Sequence, residues 1–122
     1  MKIKTKRVYE GPEPTDGFRV LVDRLWPRGL SKGDAALDLW AKEVAPSSVL
    51  RSWFAHREDR FTDFTARYVA ELDLNPAVDE LLATIRPHPV VTLLFGARDP
   101  HLNQAVVLAD YLRGAPGRMP RL

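Results

Sequence analysis

The sequence predicts an α/β domain: a small, mostly parallel sheet flanked by helices in a Rossmann-like three-layer arrangement. Three observations carry that expectation. Val20-Leu21-Val22 and the stretch from Val90 to Phe95 are unbroken apolar runs with β-branched residues. Such runs suit strands buried on both faces, and those belong to parallel sheets with helices on either side. The segment between the two runs holds at least three helical patterns, ample for a crossover connection. Finally, PVVTLLFGARDPHLNQAVVLADYL reads as strand, glycine turn and helix, one half of an α/β layer.

Taken in order, KIKTKRVY (2–9) alternates imperfectly and reads as a strand, with lysines that would protect a sheet edge. EGPEPTDG is a loop by its proline and glycine content. FRVLVDR, 18–24, is the second strand. The segment 30–46 is ambiguous between a helical turn and a short strand around Leu39–Ala41. Ser47 is placed to cap a helix whose apolar face would be Val49, Leu50, Trp53 and Phe54, with His56 and Arg57 closing it against the helix dipole. Asp59 is the expected cap of the next helix, whose stripe is Phe61, Phe64, Tyr68 and Leu72. Asp63–Arg67 and Arg67–Glu71 have i,i+4 pair spacing on its flank. Asn75-Pro76 starts a further helix with Val78, Leu81, Leu82 and Ile85 inward, and Pro87 and Pro89 end it. After the Val90–Phe95 strand, Gly96 is expected to turn the chain sharply. Asp99-Pro100 is the expected start of the last helix, with Leu102, Ala105, Val106, Leu108, Ala109 and Leu112 as its apolar face.

Composition narrows the function classes. The chain has 122 residues, 45% hydrophobic and 28% charged, and suits one soluble domain. We expect that domain over residues 1–114, with 115–122 a flexible C-terminal tail. No run approaches the ~18 apolar residues of a membrane helix, and MKIKTKRVYE has no apolar signal region, so the cytoplasm is the expected location. There is no cysteine, which excludes disulfides, thiolate metal sites and the thiol phosphatase or sulfurtransferase that a basic loop on an α/β fold would otherwise suggest. Net charge is +2 and the pI about 9.2. Much of the surplus is terminal, in Lys2, Lys4, Lys6 and Arg7 and in Arg113, Arg118 and Arg121. These are read as solvated ends in preference to a nucleic-acid patch.

If the two apolar strands are parallel neighbours, their carboxyl ends lie side by side, where open α/β sheets keep their ligand crevice. Those ends carry Asp23-Arg24 and Gly96-Ala97-Arg98-Asp99. The charges that follow Val20-Leu21-Val22 would then line a rim and need no burial.

Linked motifs along the chain are also familiar. VDRLWPRGLSK, W-x-K-E-x-A-P-S (Trp40 to Ser47), LRSWF, F-x-x-R-Y-x-x-E-L (Phe64 to Leu72), VTLLFGARD and HLNQAVVL closely resemble the YeaO-like family of small bacterial proteins of unknown function, over roughly residues 3 to 113. The resemblance implies a compact α/β fold and brings no established activity, cofactor or substrate. Its signature positions fall on Asp23, Arg24, Trp26, Pro27, Arg28 and Gly29, on Arg51, and on the loop from Gly96 to Asn103. The chain has Phe95-Gly96 where relatives look like Tyr-Ala, a mild change at a turn.

The leading chemical candidate is an anion site. Arg24, Arg28 and Lys32 leave one strand end, Arg98 leaves the other just before a helix N-terminus, and Arg51 sits near the start of its own helix. Guanidinium forks and free helix N–H groups both suit phosphate or carboxylate. The competing reading pairs Arg24 or Arg28 internally with Asp23, Asp34 or Asp99. Trp26 either caps the core or forms an aromatic wall beside Arg28; Gly96, Asp99 and Asn103 complete the expected pocket. Asp23 and His101 are the candidate proton handlers, although Asp99 has the look of a helix cap and His101 of an exposed first-turn residue. His56, His88 and His101 show no metal-binding spacing. No GxSxG elbow, GxxxxGK[ST] loop or GxGxxG is present, so no cofactor is expected. The expected partner is a small anionic ligand, a nucleotide or phosphorylated metabolite. The alternative is a non-catalytic module for nucleic acid or a protein.

Overall fold

The computed structural model describes residues 1–114. The expected tail, 115–122, and with it Arg118 and Arg121, lies outside the described residues. Four strands, β1 (Lys2–Arg7), β2 (Phe18–Leu21), β3 (Leu39–Trp40) and β4 (Val90–Phe95), form one sheet in the order β1-β4-β2-β3. Every pairing is parallel. The two apolar runs are therefore the central strands. They pair from Phe18↔Val91 to Leu21↔Leu94, and Val22 N–H extends the ladder to the Leu94 carbonyl at 3.0 Å. β1, with its lysines, is an edge.

Period-two alternation divides the apolar residues between two faces. Val20, Val22, Val91, Leu93 and Phe95 join a large core with α2 (Ser48–Phe54), α3 (Phe61–Asp73), α4 (Ala77–Ile85) and α5 (Gln104–Arg113). Leu21 and Leu94 face the other way, into a smaller cluster with Val8, Ala35, Trp26 and Trp40. That second face is covered by the one-turn helix α1 (Lys32–Ala35) and the loops around it. The result is a three-layer α/β fold with unequal outer layers.

Several local expectations change. Val49 is 81% exposed, so the inward face of α2 rests on Leu50 and Phe54. α2 ends at Phe54, and Ala55 and His56 follow with φ of +48° and +56°, so His56 turns away from the helix it was expected to close. Asp59 does not cap α3; its carboxylate pairs with Arg57 at 2.9 Å on a preceding 3-10 turn. The two i,i+4 pairs of α3 do not form. Arg67 lies over the Trp53 ring at 4.1 Å, and Glu71 accepts from Ser47 N–H and Oγ, bracing the start of α2. α5 starts at Gln104, later than Asp99-Pro100 suggests, because Asn103 is its cap and accepts from Val106 N–H at 3.1 Å. Asn75-Pro76 opens α4 as expected, with Asn75 Oδ1 accepting from Ala77 N–H.

The loop between β1 and β2 is fastened by a buried ion pair. Asp16, 2% exposed, accepts from Arg19 Nη1, from Lys6 Nζ at 3.2 Å and from Glu13 N–H at 2.9 Å. Arg19 spends its other donors on the Ala35 and Ala36 carbonyls. Burial opposes the Asp16 charge, but this donor set holds its pKa below the ordinary value. Gly17 permits the arrangement: it has a positive φ of +65°, and a Cβ there would overlap the Val90 carbonyl.

Candidate functional site

Because all strands run parallel, β1, β2 and β4 deliver their following residues to one end of the sheet. There β1 gives way to Tyr9, β2 to Asp23–Arg28 and β4 to Gly96-Ala97. Their ends are tied together. Tyr9 Oη donates to the Arg28 carbonyl at 2.7 Å, and Arg7 Nε donates to the Ala97 carbonyl at 3.1 Å. α2, α3 and α5 close the space from the side with Arg51, Phe54, Phe64 and Gln104. The open-mouthed cavity between them is about 360 Å³. A second, of about 470 Å³, adjoins it through His56, Gly96 and Ala97 and is lined further by Glu58, Arg98, Asp99 and Leu102.

Asp23 is the most constrained group on the first cavity. Its carbonyl accepts from Trp40 Nε1 at 2.7 Å. Its carboxylate accepts from Gly96 N–H at 2.9 Å through Oδ2 and from Gln104 Nε2 through Oδ1. Burial pushes its pKa up to about 6, against the opposing pull of those two donors and of the Arg51 charge. Gly96 has no left-handed φ, so it is not the conformational hinge the sequence suggested. Its missing side chain matters differently, since a Cβ there would stand 2.9 Å from Asp23 Oδ2.

The arginines divide by role. Arg24 donates to the Pro46 and Ala45 carbonyls, both at 3.0 Å, and so anchors the turn before α2. None of the expected pairings with Asp23, Asp34 or Asp99 forms. Arg28 and Arg51 line the first cavity, exposed, and their side chains make no hydrogen bond or ion pair among the described residues. Arg98 is equally unengaged but lines the second cavity. Trp26 does both things considered for it: its Nε1 donates to the Leu30 carbonyl at 2.6 Å, its ring meets Trp40 edge-on at 5.3 Å, and it lines the first cavity.

The last loop is occupied with itself. Asp99 Oδ1 accepts from His101 and Leu102 N–H, which holds its carboxyl below the ordinary range. Asn103 is buried, caps α5 and donates to the Asp99 carbonyl. These contacts take up N–H groups expected to be open to an anion. His101 is exposed and lines neither cavity, so it does not meet Asp23 there. Lys32 lies in α1, also away from both linings.

The structure adds residues that sequence reasoning missed. Gln104 reaches Asp23 from the first turn of α5, a position that looked like an ordinary helix residue. Phe54 and Phe64, stacked at 4.2 Å, present part of the core to the cavity floor. His56 reaches the seam between the cavities through two successive left-handed residues, a backbone state that non-glycine residues adopt at a cost and that often marks functional sites. The adjacent strand ends and the YeaO-like pattern at Asp23–Gly29 and Arg51 signalled this region, but neither singled out Phe54, His56, Phe64 or Gln104.

Chemically the first cavity offers a partly buried carboxylate, two unengaged guanidinium groups and aromatic walls. Among the described residues no three His, Asp or Glu side chains gather as a metal-ligand set, and no helix is long and apolar enough to cross a membrane.

A family model described as the inactive DUF488-N3 subclade matches residues 2–118. The chain belongs to that family. The uncharacterized protein YeaO of Escherichia coli (strain K12) is 46% identical over 113 residues, spanning 93% of this chain and 98% of its own. The uncharacterized proteins Rv3073c of Mycobacterium tuberculosis (strain ATCC 25618 / H37Rv) and Mb3100c of Mycobacterium bovis (strain ATCC BAA-935 / AF2122/97) are each 42% identical, over 93% of this chain and 95% of theirs. The YeaO-like resemblance read from the motifs is borne out, and with it a small protein of unknown function. No solved structure matches the chain.

Proposed function

We propose that the protein binds a small anionic ligand, a nucleotide or phosphorylated metabolite, in the cavity at the strand carboxyl ends, without turning it over. The observation that carries the reading is the state of Arg28 and Arg51. Both line one cavity, and neither spends its donors on the protein. An unengaged guanidinium beside a concave, partly apolar surface suits bidentate capture of an oxyanion. Arg98, on the adjoining cavity, extends the reach of such a site. The word inactive in the family's description favours binding over catalysis.

A second reading has one specific observation behind it. Asp23 is a partly buried carboxylate on the cavity, with its pKa raised to about 6, which are the properties of a proton handler. The nucleic-acid alternative is weaker, because four of the terminal cations among the described residues, Lys4, Lys6, Arg7 and Arg113, are engaged. Lys4 donates to the Thr15 carbonyl, Lys6 pairs with Glu13 and Asp16, and Arg113 donates to Asp110 and to the Ile3 carbonyl.

The test is a thermal-shift and calorimetric screen of phosphate, pyrophosphate, sulfate, nucleotides and phosphorylated sugars at two salt concentrations. Arg28→Ala and Arg51→Ala are run alongside. A ligand that raises the wild-type melting temperature, and loses at least about tenfold in affinity in either variant, is the expected result. Binding that collapses steeply with salt and survives both substitutions would favour the nucleic-acid alternative. No shift from any anion would overturn the reading.

A further inference from the structure

The same cavity carries an acid among its arginines, and that limits what an occupant can look like. Asp23 fills two of its acceptor positions with Gly96 N–H and Gln104 Nε2. A carboxylate has about four. Its remaining capacity belongs to a side chain that lines the cavity and is largely withdrawn from water. A bare anion seated here would meet Arg28 and Arg51 favourably and Asp23 unfavourably. An occupant that brings hydrogen-bond donors to Asp23 and its charge to the arginines would satisfy all three.

The walls indicate what would carry those donors. Trp26 and Tyr9 stand on the strand-end side, with Phe54 and Phe64 on the helix side. Aromatic side chains favour a flat ring by stacking and edge contacts. Gln104 adds an adjustable polar group beside the carboxylate, because its amide can present either end once the other is engaged.

We infer that the ligand is an anion carried on a planar ring whose edge presents adjacent N–H donors to Asp23, as a guanine nucleotide does, with Arg28 and Arg51 taking the phosphate. The inference rests on the anion-site reading above and specifies its ligand class. A site that pairs a desolvated carboxylate with ligand donors rejects analogues lacking them far more strongly than an apolar pocket rejects a missing methyl group.

Guanosine, inosine and adenosine 5′-monophosphates form a matched series for the test. They share ribose and phosphate; guanine presents two adjacent donors, N1–H and N2–H, hypoxanthine presents N1–H alone, and adenine sets an acceptor N1 beside its single N6 amine. Titration of the full chain by calorimetry should give affinities falling in that order, with at least about tenfold between the first and the last. Asp23→Asn, checked for an unchanged fold by circular dichroism, should erase the order. Arg51→Ala should weaken all three by a similar factor. Equal wild-type affinities for the three, lost together in Arg51→Ala, would overturn the inference and leave the anion site standing. The reverse order would also overturn it. Failure of the whole series and of inorganic phosphate and pyrophosphate to bind would remove the anion site and the inference together. The decisive comparison uses wild-type protein, so it holds even if Asp23→Asn fails to fold.

Discussion

Replacing Asp23 by asparagine should stabilise the protein at neutral pH, and by an amount that depends on pH in a stated direction. The folded-state pKa of Asp23 is about 6 against an ordinary 3.8. A carboxyl raised in the folded state contributes fully below its unfolded pKa and loses that contribution as pH rises through the folded pKa. The difference of about 2.2 units, at 1.36 kcal/mol each, gives a penalty of about 3 kcal/mol for the ionised form at pH 8 relative to pH 3. Half of that interval is crossed near pH 5. Asparagine keeps the shape, accepts from Gly96 N–H through its oxygen, and meets a Gln104 amide that can rotate to accept. The melting-temperature difference between Asp23→Asn and wild type should therefore grow by roughly 10 °C between pH 4 and pH 8, with the variant gaining. Taking the difference cancels titrations shared by both proteins. The assay is differential scanning calorimetry or circular dichroism melting at half-unit pH intervals. A difference that stays flat across that range would refute the argument. A difference that falls with pH would show that Gly96, Gln104 and Arg51 outweigh burial, and the acid would then be an anchored structural ion.

Two more outcomes separate structural from unengaged charge. Arg24→Ala should cost about 1–3 kcal/mol, because the Ala45 and Pro46 carbonyls lose their donors, while Arg51→Ala stays within about 0.5 kcal/mol; urea melts of the pair check this, and equal values would refute the division of roles. Asp16→Ala should cost about 3–5 kcal/mol by urea denaturation, since it strands the buried Arg19 guanidinium; a loss below about 1 kcal/mol would mean that water or the Ala35 and Ala36 carbonyls suffice for it.

Much of the frame was legible from local pattern. Val20-Leu21-Val22 and Val90 to Phe95 are apolar without interruption because both faces of the central strands are covered, and lysines mark β1 because it is an edge. Once those two strands are parallel neighbours, the end of the sheet that bears Asp23 and Gly96 follows from chain direction alone. What local pattern could not supply was the choice among partners of similar chemistry. Asp99 and Asn103 both suit the cap of α5, and the proline after Asp99 favours the wrong one. The structure uses both, one for a turn and one for the helix. Asp59 likewise yields to Arg57, two residues away. Ala55 and His56 enter left-handed backbone with no glycine or asparagine to announce it.

The arginines show the same limit at longer range. In sequence, Arg24 and Arg28 are equivalent flanks of Leu25-Trp26-Pro27. In space, Arg24 points to the turn at Ala45-Pro46, more than twenty residues on, and is consumed there. Arg28 has only its carbonyl engaged, by Tyr9, which leaves the guanidinium over the cavity. Which cation is structural is decided by backbone carbonyls, and those are the groups a sequence does not distinguish. Arg24 is therefore neither an open anion donor nor half of an internal salt bridge. Arg24 is structural without an acid partner, and Asp23 is held by amides, not by an arginine in contact. Separating these two roles leaves a cavity with one carboxylate and two unengaged guanidinium groups, and that imbalance makes the identity of the occupant a question of donors as well as charge.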